Sequence, residues 1–148
     1  IRFALNGFDV TMTDFDGKGL DFVKFRTKDI PNIAVVSFDE LDKTKKYDVI
    51  LHFDVIEHLK DPIAEIKKIY NMLNDDGLLL LTMQITGKEL EAAHIAPVEV
   101  IPELILLLNK LFTHTQKIEI VQNDTNHVMT IGYHPIALVK KNGVLNEI

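Results

Sequence analysis

Cysteine is absent from the 148 residues. That excludes disulfides, thiolate zinc sites and cysteine nucleophiles, and it suits a cytoplasmic location, where disulfides are rare. Positive charge is also short. Sixteen Lys and Arg against 22 Asp and Glu leave a net charge of −6, which argues against a general affinity for nucleic-acid backbones and leaves only a local basic patch open. The longest apolar runs, residues 77–83 and 104–108, fall far short of the roughly 20 residues a membrane span needs. Glycine is missing where a nucleotide-type loop would need it. The seven glycines are Gly7, Gly17, Gly19, Gly77, Gly87, Gly132 and Gly143, and none forms a G-x-G-x-G between a strand and a helix. Gly17-Lys18-Gly19 stands alone, and a lone G-x-G reads better as a turn into a helix than as a phosphate cradle. What is present is a globular composition, 47% hydrophobic and 26% charged, in a chain of one-domain length with no internal repeat, low-complexity run or linker.

The chain is organised around residues 47–62, YDVILHFDVIEHLKDP. Residues 47–53 form a short, β-branched apolar run, the pattern of a strand covered on both faces. Asp61-Pro62 then signals a helix start, with Asp as N-cap and Pro where its missing N–H costs nothing. Asp54, Glu57 and His58 therefore fall between the C-terminal end of a strand and the next helix, the edge at which open α/β sheets bind ligands.

The rest of the chain alternates in the same way. Residues 1–7 read as the last turn of a helix closed by Asn6-Gly7, and residues 8–13 as a strand ending in the acids Asp14 and Asp16. A helix over residues 20–28 presents Leu20, Phe22, Val23 and Phe25 as an apolar face. The apolar run 33–37 is a strand followed by Asp39 and Glu40. A helix over about 62–74 places Ile63, Ile66, Tyr70 and Leu73 on one face. A turn at 74–77 leads to a buried strand at 78–85, and a helix from Pro102 reaches Phe112. Residues 118–121 and 128–139 form a closing antiparallel hairpin, with His134-Pro135 as an irregularity in it. Residues 86–101 have no readable pattern, and 142–148 are expected to be a tail.

YDVI followed by DVIEHLKDP resembles the fourth-strand region of class I S-adenosylmethionine-dependent methyltransferases, where an fDvI…D/E-x-x-EH-x-x-DP pattern is common. NGFDVTMTDFD upstream and IYNMLNDDGLLLLTM downstream extend the resemblance over residues 1–141. It implies an α/β fold: a Rossmann-like methyltransferase sheet with helices on both faces and a C-terminal antiparallel β-hairpin. It also implies S-adenosylmethionine as cofactor and methyl transfer to a small-molecule, sugar or lipid-precursor acceptor. Within that family an acid ending the second strand accepts hydrogen bonds from the cofactor's ribose, so Asp14, with Asp16 as reserve, is expected there. Asp39 is expected at the adenine, with a plain solvated acid as the alternative. His52, Phe53 and Asp54 would line the cofactor pocket, though Phe53 reads equally as core. For Asp54, Glu57 and His58 three readings stand open: a structural pair bracing the loop, a substrate contact or general base at His58, and a divalent-cation site. Glu57, and His94 from the segment where the family builds its substrate cover, are candidate substrate contacts.

One part of the family pattern is missing: the first strand and the glycine-rich loop whose backbone N–H groups hold the cofactor's carboxylate. In the family that strand lies at the centre of the sheet. Without it two inner edges would expose unpaired backbone groups, which is expensive. A fragment of a longer polypeptide is the expected explanation. A degenerate methyltransferase-like module serving as an interaction or scaffold domain is the alternative, and a nicotinamide-dependent oxidoreductase fits less well because it needs the same absent loop.

Overall fold

The structure, a computed structural model, describes residues 1–86, 95–114, 120–122 and 128–143; for 84–86, 98, 120–122 and 128–134 it describes the backbone. His94 and the hairpin turn 123–126 lie outside the described residues. By its contacts the chain divides into two compact units, Ile1–Lys43 and Thr44–Ile148.

In the first unit a short helix α1 (Arg2–Leu5) ends at Asn6, and Gly7 follows at φ +89°, the left-handed turn the Asn-Gly pair predicts. Strand β1 (Val10–Asp14), helix α2 (Lys18–Thr27) and strand β2 (Ile33–Ser37) follow. The strands pair in parallel, Val10 with Ile33 through Asp14 with Ser37. A parallel pair needs a crossover, and α2 supplies it. The broad apolar face expected of α2 is narrower. Leu20 is buried, but Phe22 and Phe25 are 59% and 65% exposed, with the Arg26 guanidinium 5.7 Å over the Phe22 ring and the Lys28 ammonium 5.3 Å over that of Phe25. Two parallel strands are too little sheet to cover a helix whose apolar residues spread around its axis.

The second unit is a five-stranded sheet of order β3–β4–β7–β5, with β6 also pairing β7. Strand β3 (Tyr47–His52) runs parallel to β4 (Leu73–Thr86), and β5 (Phe112–His114), β6 (Ile120–Gln122) and β7 (Val128–Lys140) are antiparallel around β7. The antiparallel closure is as expected, with β5 as an additional short strand. Helix α3 (Pro62–Met72) starts as the sequence predicts: the Asp61 carboxylate accepts the Ala64 N–H at 2.9 Å, and Pro62 sits in the first turn. It ends two residues earlier than expected. Leu73 already pairs with Tyr47, and residues 74–77 form an irregularity inside β4 rather than a separate turn. Asp76 is left-handed there, at φ +59°. Gly77 fits because a Cβ at that position would lie 2.8 Å from the Asn74 carbonyl oxygen.

Helices α3 and α4 (Ile101–Leu111) bury one face of this sheet. Ile66, Ile69, Tyr70, Leu104, Leu108 and Leu111 close over Leu79, Leu81, Ile136 and Leu138. The opposite face of β3 corrects the expectation of cover on both sides. Val49 and Leu51 are 48% and 44% exposed, while Ile50 packs against the core and His52 is buried. Period-2 alternation puts these pairs on opposite faces, and no described element buries the first pair. Within β7 the ladder slips between Leu81–Ile136 and Met83–Ile131, so residues 132–135, including the His134-Pro135 irregularity, bulge opposite Thr82. Of the expected tail, Asn142 and Gly143 are described, and Asn142 is held to the sheet. The Lys141 carbonyl accepts from the Tyr70 hydroxyl at 2.6 Å, and Asn142 exchanges two hydrogen bonds with Asp76.

Candidate functional site

Two sheet edges, one in each unit, carry the polar side chains in question. At the C-terminal ends of β1 and β2, local hydrogen bonds set the loops. One oxygen of the Asp14 carboxylate accepts the Phe15 N–H at 2.8 Å. The other faces Gly19, where an added Cβ would stand at 3.5 Å. The Phe38 N–H donates to the Asp14 carbonyl at 2.9 Å, and the Phe15 and Phe38 rings lie 5.6 Å apart. Ser37 and Glu40 clasp the β2 turn reciprocally. Ser37 N–H donates to the Glu40 carboxylate at 3.2 Å, and Glu40 N–H to the Ser37 hydroxyl at 3.3 Å. These bonds from Ser37, with Lys24 adding a favourable charge, hold the Glu40 carboxyl below its usual range. The clasp presents Asp39 at an exposed tip, and Asp14, Asp16 and Asp39 are all solvent-facing. The structure therefore brings Asp14 and Asp39 to one sheet edge.

The second edge lies at the ends of β3 and β4. His52 turns to the helix-covered face, only 9% exposed, with its Nε2 3.6 Å from the Glu65 carboxylate on α3. Burial alone would raise the Glu65 pKa. The hydrogen bond with His52 and the charge of Lys68, whose Nζ is 3.2 Å away, outweigh burial and hold it below the usual carboxylate range. Among the described residues His52 Nδ1 has no hydrogen-bond partner. Phe53 is 40% exposed. Asp54 is exposed and left-handed, at φ +52°. Residues Ile56–His58 then form a single 3-10 turn. In that turn Glu57 is buried to 2% exposure, with Oε2 unpartnered among the described residues, while its carbonyl accepts the N–H groups of Ile95 and Ala96. His58 is half-buried. Among the described residues no three His, Asp or Glu side chains cluster as a metal site would require.

Sequence reasoning missed Ser37, Glu40, Glu65 and, on β4, Thr82. Ser37 and Glu40 stand at the S-x-x-E spacing of a capping box, a signal that could have found them. Glu65 carried no comparable signal, since nothing in the sequence shows that the first turn of α3 faces the end of β3.

Over residues 2–119 the sequence matches the methyltransferase domain family. The chain belongs to that family, with the Rossmann-like fold and the S-adenosylmethionine cofactor that go with it. Among solved structures it is similar to the N-methyltransferase NodS from Bradyrhizobium japonicum WM9, at 16% identity and a TM-score of 0.60, over 88% of this chain and 72% of that one. A second crystal structure of NodS is a complex with S-adenosyl-L-homocysteine. The N-terminal domain of EvdMO1, also solved with this product bound, is similar at 11% identity and a TM-score of 0.61, over 94% and 67%. The [4+2]-cyclase SpnF shares the fold at 12% identity and a TM-score of 0.58, and this chain spans 46% of its length. No curated protein matches the sequence.

The first edge carries one acceptor of the kind a ribose calls for. Ribose hydroxyls need acceptors at a strand end, and the exposed Asp14 carboxylate, with one oxygen toward side-chain-free Gly19, offers one.

Proposed function

We propose that the chain belongs to an S-adenosylmethionine-dependent methyltransferase acting on a small-molecule, sugar or lipid-precursor acceptor. The observation that carries this reading is the preset acidic edge of β1 and β2, in which Ser37 and Glu40 fix the turn bearing Asp39 beside Asp14, within a chain of the methyltransferase family. Bound S-adenosylmethionine supplies an activated methyl group on a sulfonium. The protein's part is to hold donor and acceptor in line, since positioning can supply much of the rate of such a displacement. Asp14, with Asp16 beside it, accepts from the ribose; Asp39 accepts from the adenine amino group; His52, Phe53 and Asp54 border the cofactor. His94 contacts the acceptor and His58 takes up its proton, while Glu57, whose side chain is buried, takes the structural role of bracing the loop. The lack of cysteine supports a cytoplasmic setting.

The central strand and glycine-rich loop come, in this reading, from a further segment. Among the described residues β1 pairs only β2, and β3 pairs only β4, so each offers one free edge, while Val49 and Leu51 leave an apolar face to cover. The same free edges favour the second reading, a scaffold module docked on another protein, and SpnF illustrates that this fold also occurs in a cyclase. Calorimetric titration of S-adenosylhomocysteine decides between them. Binding is expected in a polypeptide extended upstream by a strand-loop-helix of roughly 30 residues or more. Absence of binding, with that polypeptide folded, would leave the scaffold module.

A further inference from the structure

Asp54 holds a backbone conformation that side chains with a Cβ rarely adopt, φ +52°, one residue past Phe53 at the end of β3. Asp tolerates this region better than most residues, but something must select it. The selecting group lies on the neighbouring strand. Asp54 N–H donates to the Thr82 hydroxyl at 2.9 Å, and that hydroxyl donates back to the Asp54 carboxylate at 3.3 Å. Accepting and donating through one atom is a property of a hydroxyl, so neither an amide nor an aliphatic side chain of similar size could close this ring.

The position of Thr82 supports a dedicated role. It follows Leu81, the β4 residue in register with His52, and it stands where the β4–β7 ladder slips. Thr82 therefore faces the β7 bulge at 132–135, and bulges recur beside active sites because they re-aim a side chain. Threonine is also stiff about χ1, which keeps the hydroxyl directed. The far end of the same loop is pinned separately, by the Ile95 and Ala96 N–H groups on the Glu57 carbonyl at 2.9 and 3.1 Å. A loop fixed at both ends has little freedom to choose another Asp54 conformation. One carboxylate oxygen is engaged by Thr82, and the other stays available as an acceptor on an exposed residue.

We propose that Thr82 is a positioning residue of the methyl-transfer site: its hydroxyl, set opposite the β7 bulge, locks Asp54 in the left-handed conformation and fixes the direction in which that carboxylate meets the cofactor. The cofactor contact rests on the function proposed above; the lock does not. Two readouts separate them in the longest form of the polypeptide its gene encodes. Amide exchange by NMR reads the lock directly. Thr82→Val is expected to speed exchange of the Asp54 amide by roughly tenfold or more, and Thr82→Ser to restore most of the protection. Titration of S-adenosylhomocysteine reads the consequence. Thr82→Val should weaken binding by about tenfold, Thr82→Ser should recover it, and Thr82→Val should add nothing in an Asp54→Ala background.

An Asp54 amide that stays slow in Thr82→Val, an unchanged affinity, or an equal loss in the Asp54→Ala background would each overturn the proposal. If the valine variant does not fold, Thr82→Ala carries the same expectations. If Thr82→Val gives the exchange response but the wild-type chain binds no S-adenosylhomocysteine, the positioning role is overturned through failure of the methyltransferase reading, with the lock itself upheld.

Discussion

Replacing Leu51 by Asp tests whether the open face of β3 is a finished surface or half of a core. Leu51 is 44% exposed and Val49 48%. Full burial of a Leu or Val side chain is worth about 1.5–3 kcal/mol, so covering the exposed share of each would contribute roughly 0.7–1.4 kcal/mol, or about 1.5–3 kcal/mol for the pair. Against a total stability of about 5–15 kcal/mol, that is a large share left unrealised on one strand. In the 148-residue chain Leu51→Asp forfeits only the part of Leu51 already buried, about 1–2 kcal/mol, because the new carboxylate stays in water. With an upstream segment covering the face, the same substitution would bury an unpaired charge and cost several kcal/mol more. Urea unfolding of both forms, with and without Leu51→Asp, measures the two losses. Equal losses would refute the inference that an added segment covers this face, since the site would then be as wet in the longer polypeptide as in the shorter one.

Asp14→Ala should weaken S-adenosylhomocysteine binding by about 1–3 kcal/mol, the range for leaving a hydrogen-bonding group without its partner, with little effect on the urea midpoint because Asp14 is exposed; unchanged affinity by calorimetry would remove Asp14 from the cofactor site. Glu65→Gln should flatten the acid limb of the stability curve. The folded-state pKa of Glu65 is lowered from its ordinary value, so its contribution is fully present above the unfolded value and is lost as pH falls through the folded one. Urea titrations from pH 7 down to about 3 would show a shallower decline in the variant, whereas parallel curves would mean that His52 and Lys68 do not hold this carboxylate.

Much of the framework was legible because it rests on local chemistry. Asp61-Pro62 starts α3 through a side-chain cap, and Asn6-Gly7 ends α1 in a left-handed residue, two signals that need no knowledge of the tertiary fold. The apolar runs at 33–37 and 47–52 are strands because β-branched residues suit a pleated surface. Where tertiary partners decide, the reading ran out. Phe22 and Phe25 look like core in sequence and are exposed, because α2 has only two strands beneath it. Residues 74–77 look like a turn, and the pairing of Leu73 with Tyr47 draws them into β4 as an irregularity. At the site, strand ends put Asp14, Asp39 and Asp54 at the two edges, and the S-x-x-E spacing of Ser37 and Glu40 was readable, but Thr82 and Glu65 act through bonds that sequence position alone does not display.

Those bonds share a property that bears on how the site forms. Asp14 is set by Phe15, the Asp39 turn by Ser37 and Glu40, and Asp54 by Thr82 on the adjacent strand. Each lies within one unit, and none depends on a residue of the other. The acidic edges are therefore built by their own strands before any central strand or cofactor is present, and ligand binding need not repay the ordering of these loops. If affinity is absent in the 148-residue chain and present in a longer one, the difference then reports the contacts of the added segment rather than a repair of the edges. The chemical shifts of Asp14, Asp39 and Asp54 amides should accordingly be nearly the same in both forms without ligand, except where the new segment touches them.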